Sequence, residues 1–202
     1  MATACSGDAG GDEPSLDEPG NSQGSEGQTT EPTIEPTTEE PTDEVPDELR
    51  VIGDSYSYAI PKGWEDIIEN PEADGADTFV RSTTSVGGFA ANLNTVIAAG
   101  SGTGALTADT PHLRQLRKEF ARSNREQTGV LPRPIADTEL DGSFTIGHTV
   151  DEYGGRGTML TMTQYATVRD DVSHVITLTA ATADAEHADA ALSTVMESWT
   201  WK

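Results

Sequence analysis

The chain is short of positive charge, aromatic rings and thiols. Twelve Lys and Arg stand against 35 Asp and Glu, a net charge of −23, which excludes a nucleic-acid binder because neutralising phosphates takes clustered bases. Only 34% of the 202 residues are apolar and 5% aromatic, too few to supply one core along the whole length. No run approaches the roughly 18 consecutive apolar residues of a membrane-spanning helix. A single cysteine excludes a disulfide framework and any metal centre built from several thiolates.

The shortages are unevenly spread. Residues 1–48 hold fourteen acids, six of the eleven prolines, and neither a base nor an aromatic residue. Such a segment cannot bury enough apolar surface to offset chain entropy and is expected to be disordered. Residues 49–202 carry all twelve bases, 21 acids and every aromatic residue, a net charge of −9. That is the composition of one domain, large enough to bury about 70% of the surface of its unfolded chain.

Ala2, Thr3 and Ala4 lead to the lone Cys5, and Ser6 and Gly7 follow it. This setting resembles the lipobox of bacterial lipoproteins, in which small residues precede a cysteine that is lipidated and becomes the new N-terminus. The resemblance implies a lipid on Cys5 and a domain standing on the outer face of the cell membrane. The 43 residues between Cys5 and Leu49 would give it a root-mean-square reach of about 35–40 Å. Glu31-Pro32-Thr33, Glu35-Pro36-Thr37 and Glu40-Pro41-Thr42 repeat within this tail, favouring extended polyproline II structure kept hydrated by acids. It reads as a plain stalk, although Thr/Pro runs on exported proteins also accept O-glycans.

In the domain, Tyr56–Ile60 alternates as an opening strand and ends in a turn at Pro61-Lys62-Gly63-Trp64. Further strands are expected over 78–82 and 89–98, the latter with Phe89, Ala91, Leu93 and Ile97 on one face. Thr110 as N-cap and Pro111 at the first helical position predict a helix over 111–128, with Leu113, Leu116 and Phe120 on one side and Gly129 ending it. Strands at about 134–140, 143–152, 157–169 and 172–181 follow. Their links at Asp141-Gly142, 153–157 and Asp170-Asp171 are so short that the neighbours must be antiparallel. Ala188, Ala191, Leu192, Val195 and Trp199 then place a closing helix over 184–198. The order βββ-α-ββββ-α predicts an α+β fold, an antiparallel sheet covered by helices.

The opening Tyr56-Ser57-Tyr58-Ala59-Ile60-Pro61-Lys62-Gly63-Trp64, the central helix, the long hairpins and the final helix ending at Trp199 resemble the PsbP-like family, which includes the actinobacterial LpqN-type lipoproteins. The resemblance spans about residues 50–202. It implies an antiparallel sheet sandwiched by helices, serving as a binding or assembly module, and it supplies neither catalytic residues nor a cofactor.

Several constellations invite chemistry. Gly53-Asp54-Ser55 resembles the nucleophile block of GDSL-type (SGNH) esterases, and Asp184-Ala185-Glu186-His187 their Asp-x-x-His block. That reading makes Ser55 the nucleophile, His187 the base and Asp184 its orienter. It lacks the Gly-x-Asn-Asp block that helps build the oxyanion hole, and it requires a parallel sheet. The glycine run 100–104 resembles a phosphate loop, but six residues without a lysine separate it from the helix, so it reads as a flexible loop. His148 and His174 are in phase with apolar residues of their strands and, brought together, would form a polar spot or half of a metal site, although core histidines are the plainer reading. His112 and His187 fall in first turns of helices and are expected to be exposed. Arg114, Lys118, Arg122 and Arg125 form a basic stripe within about 80° of the helix circumference, a candidate contact for anionic lipid or an acidic partner, or else a solvated face.

The sequence therefore predicts an exported, lipid-anchored, non-enzymatic module of an actinobacterial cell envelope, monomeric and without cofactor or metal. Its partner is an amphiphilic small molecule held between sheet and helix, or another envelope protein. Candidate binding residues are Arg114, Lys118, Arg122, Arg125, His148 and His174; the rival is the hydrolase.

Overall fold

The computed structural model describes residues 49–202 apart from 71, 72, 100–103, 110, 112 and 156. The expectations for Cys5 and the tail, most of the glycine run, the Thr110 cap and His112 lie outside the described residues.

Among the described residues, ten strands and two main helices follow in the order β1 (Arg50–Ile52), β2 (Tyr56–Ala59), β3 (Trp64–Asp66), β4 (Thr78–Ser82), β5 (Asn92–Ala99), α1 (Leu113–Thr128), β6 (Arg133–Leu140), β7 (Ser143–Gly155), β8 (Thr158–Arg169), β9 (Val172–Ala181), α2 (Ala185–Ser198) and β10 (Thr200–Trp201). Seven strands form one sheet ordered β3-β4-β5-β9-β8-β7-β6, and β1-β2-β10 form a second, smaller one. Every pair is antiparallel.

The α+β expectation holds, with four corrections. A strand, β1, precedes the one expected to open the domain, and Trp64, read as part of a turn, begins β3. Residues 89–91 do not extend β5, because Phe89 closes a tight bridge with Val86 over Gly87 and Gly88, both at positive φ. The chain does not stop at α2 but returns as β10 to pair with β2, which gives two sheets where one was expected. The long hairpins are as read. Asp141-Gly142 and Asp170-Asp171 all have positive φ, the left-handed pair that a two-residue hairpin turn demands.

The large sheet is covered on both faces. On one, β2, α2 and the C-terminus build the main core around Tyr56, Tyr58, Leu93, Ile176, Leu178, Leu192, Val195 and Trp199. Tyr56 stacks on Trp199 at 4.0 Å between centroids, and both buried tyrosine hydroxyls reach Thr78 Oγ1, at 3.0 and 3.1 Å. Burial drives both phenols far above their ordinary pKa, so they stay protonated. On the other face α1 covers a smaller cluster of Leu106, Ile146 and Val168. The contrast between the helices matters for function. α2 buries Ala188, Ala191, Leu192 and Val195, whereas the fully buried residue of α1 is a polar one, Asn124.

Candidate functional site

β8 sets up two different surfaces. Its even-numbered residues Met162, Gln164, Ala166 and Val168 face α1, and Thr161, Thr163, Tyr165 and Thr167 face the α2 side, as the period of two requires.

On the α2 side the helix packs against β2 and β9 and leaves the outer strands uncovered. A groove of about 790 Å³ runs there. Thr149, Thr161, Thr163 and Tyr165 with Ile135 and Thr138 line it from the sheet, and Asp189, Leu192, Ser193 and Met196 from α2. Glu139, Asp151, Glu152 and Glu197 add carboxylates, while the one base among these residues, Arg133, is held by Asp151 at 3.1 Å. Loss of surrounding water raises the Asp189 carboxyl above its ordinary pKa, and the Tyr165 phenol rises through burial and then the nearby Asp189 charge. Gly147 shapes the floor. A β-carbon there would lie 2.6 Å from Ile135 Cγ1 and 2.8 Å from Tyr165 Cε1, so glycine lets both side chains lie across β7.

On the opposite face a smaller cleft of about 260 Å³ opens beneath α1, with Ile146, Ala166, Val168 and Val175 below and Leu116 and Phe120 above. The apolar side of α1 only half-buries its Leu113, Leu116 and Phe120, so the helix stands partly off the sheet. One step along the strands from Val175, Ala166 and Ile146, register places a polar row, Asn94, Thr177, Gln164 and His148. Gln164 Nε2 donates to Thr177 Oγ1 at 3.0 Å, and the His148 ring meets the Phe120 ring edge-on at 5.0 Å. Among the described residues Gln164 Oε1, His148 Nδ1 and Asn124 Nδ2 are buried without a hydrogen-bond partner. Burial lowers the His148 pKa, as does Arg117, and Asp137 opposes the fall.

The sequence-predicted residues are dispersed. His148 lies under α1 and His174 on the opposite face, against Tyr56 and Trp201, so the two histidines do not meet. Among the described residues no group of three or more His, Cys, Asp or Glu is placed to hold a metal. Arg114, Lys118, Arg122 and Arg125 are exposed on α1, with Arg122 3.8 Å from Glu126. The fifth base of the helix, Arg117, pairs with Asp137 of β6 instead.

Ser55 does engage a histidine, but not the expected one. Its Oγ lies 2.9 Å from His174 Nε2, whereas His187 is exposed on α2. The pair lacks the rest of a triad. His174 Nδ1 has no hydrogen-bond partner among the described residues, and the nearby Asp77 carboxylate accepts from the Asp54 N–H at 3.3 Å. His174 is only 2% exposed and packs edge-on to Trp201 at 4.9 Å. Desolvation lowers its pKa and Arg169 adds to this, while the Val172 backbone and Asp77 offset part of the fall. The antiparallel sheet also removes the parallel framework that the hydrolase reading needs. What the contact does is tie the Gly53–Ser55 loop to β9, alongside Lys202, whose N–H donates to Ser55 O and whose Nζ donates to Gly53 O.

The expected site between sheet and helix came without any of the residues that line the groove, and of the polar row only His148 was singled out. The signal for the groove was present as the alternating hydroxyls Thr161, Thr163, Tyr165 and Thr167; nothing local marked Gln164 and Thr177 as partners.

No protein-family model and no curated protein matches the chain. Solved structures do. LpqN of Mycobacterium tuberculosis, described as involved in cell envelope biogenesis, aligns over 75% of this chain and 86% of its own at 15% identity, with a TM-score of 0.52. The cyanobacterial PsbP of Synechocystis sp. PCC 6803 aligns over 73% and 86% at 14% identity, with a TM-score of 0.50. The chain thus has a PsbP-like fold of the kind seen in LpqN.

Proposed function

We propose that this chain is a non-enzymatic binding module of a bacterial cell envelope, tethered outside the membrane by a lipid on Cys5, which holds an amphiphilic small molecule in the groove between α2 and strands β6–β8. The groove carries the reading. Its 790 Å³ lies within the usual ligand-pocket range of about 300–1,000 Å³. Ile135, Leu192 and Met196 offer an apolar flank beside the hydroxyls of Thr149, Thr161 and Thr163, which suits a molecule with one oily and one hydrogen-bonding side. The envelope setting is supported by the lipobox-like Cys5, the stalk-like tail, and the likeness of fold to LpqN, itself described as an envelope-biogenesis protein. The exposed stripe Arg114, Lys118, Arg122 and Arg125 would add contact with anionic headgroups.

The test is native mass spectrometry of the full chain purified from its own envelope. A bound small molecule is expected, and Thr163→Trp, which fills the groove, should release it. Retention by Thr163→Trp would move the ligand elsewhere. Hydrolysis of short-chain p-nitrophenyl esters, lost on Ser55→Ala, would overturn the non-enzymatic reading.

A further inference from the structure

The cleft beneath α1 combines two features that rarely persist unless something spans them. Its lining is mostly aliphatic and aromatic, with Glu119, Ser123, Thr167 and Ser173 among it, and it borders a polar row in which the buried Gln164 Oε1 and His148 Nδ1 have no partner among the described residues. The apolar part is floored by Ile146, Ala166 and Val175 and roofed by Phe120. The row lies two residues further along the same strands, about 7 Å away, where Gln164 and His148 are 7% and 4% exposed. Gln164 already spends its amide nitrogen on Thr177, so its free oxygen is an acceptor and takes a donor only. Asn124, one turn beyond Phe120 on α1, leaves a buried amide nitrogen, a donor, unused. An orphaned buried donor or acceptor is costly, and native proteins leave few of them.

We infer that the α1 cleft is a second binding site, for a short-chain uncharged amphiphile whose alkyl part lies between Phe120 and Ala166 and whose hydroxyl donates to Gln164 Oε1. The head is uncharged because the exposed bases of α1 are not among the residues lining the cleft, Glu119 at its lining would repel an anion, and Arg117, the base near His148, is engaged by Asp137. The volume of about 260 Å³ equals about nine liquid waters at roughly 30 Å³ each, room for a chain of several carbons but not for a two-chain lipid.

The probe is 1-octanol, titrated into the full chain carrying labelled Ile and Val methyls. Ile146 and Val175 are expected to shift and saturate. Affinity should rise about fourfold per methylene from hexanol to octanol, and octanoate should bind at least about tenfold more weakly than octanol. Gln164→Leu should weaken octanol about tenfold, and Ala166→Leu should abolish the shifts by filling the cleft. If Ala166→Leu does not fold, Ser173→Leu at the cleft wall asks the same question. Saturation without movement of Ile146 or Val175, or equal binding of octanol by Gln164→Leu, overturns the inference. Shifts confined to Ile135, which lines the groove, would also overturn it while leaving the groove reading intact.

Discussion

Acidification tests the packing most directly, because two histidines are buried in the neutral form on opposite faces of the sheet. His174 is 2% exposed and His148 4%, and burial depresses both pKa values below the ordinary 6.5. The charged groups beside them are Asp77 and Arg169 for His174, and Arg117 and Asp137 for His148. Below pH 6.5 the unfolded chain therefore holds more protons than the folded one, so stability is complete above 6.5 and falls as pH drops, flattening only below the depressed folded values. The limiting slope is about 1.4 kcal/mol per pH unit for each histidine, or about 2.7 for the two together. Against a typical domain stability of about 5–15 kcal/mol, one unit of acidification is a large loss. His174→Phe removes one titration and the Ser55 hydrogen bond at once. It is expected to cost about 1 kcal/mol at pH 7.5 and to halve the slope, so that the two stability curves cross about 0.7 of a unit below 6.5. Urea midpoints followed by tryptophan fluorescence between pH 5 and 7.5 at fixed ionic strength measure this. Asp189, whose pKa is raised, acts in the opposite sense at lower pH and cancels between variants. A flat wild-type curve, or a His174→Phe curve parallel to it, would refute burial of neutral His174 as the source of the slope.

Three further outcomes follow from the geometry. Gly147→Ala pushes Ile135 and Tyr165 off the strand, so it should cost about 1–3 kcal/mol in denaturant midpoints and displace the groove ligand in native mass spectra. Trp199→Ala removes the ring stacked on Tyr56 and should cost about 3–5 kcal/mol, with loss of the near-ultraviolet dichroism of the aromatic cluster. Changing Arg114, Lys118, Arg122 and Arg125 together to Ser should leave stability within about 0.5 kcal/mol yet remove binding to anionic vesicles, binding that in the unaltered chain should fade as salt shortens the Debye length; vesicle binding that survives the change would reduce the stripe to a solvated face.

What the sequence makes legible is whatever a short stretch decides by itself. β7, β8 and β9 are long alternating runs joined at turns whose residues favour positive φ, and α2 announces its buried side through Ala188, Ala191, Leu192 and Val195. β1, β3 and β10 are two or three residues long, too short for a period to show, and β10 exists because of a distant partner; Thr200 and Trp201 are strand only because Ser57 and Tyr56 lie beside them. α1 shows the limit of periodicity. Leu113, Leu116 and Phe120 mark a face correctly, but the spacing does not tell that the helix will settle only partly on the sheet and leave a cleft.

The two histidines are kept apart for a subtler reason, which lies in register. The Asp170-Asp171 turn pairs Arg169 with Val172 and hence Thr167 with His174. The next turn pairs Gly155 with Thr158 and Tyr153 with Leu160. Continued without interruption, that register would set His148 opposite Tyr165, two residues from Thr167, and so on the same face as His174. Instead Asp151 and Glu152 together oppose Thr161 alone, a bulge with Glu152 at φ 52°, and beyond it His148 pairs with Gln164. One extra residue reverses the parity of everything N-terminal to it on β7, because side chains alternate with a period of two. It sends His148 beneath α1 and leaves Gly147 under Tyr165 as the floor of the groove. Neither Asp nor Glu marks a bulge, so the step that separates the two histidines has no local signature in the sequence.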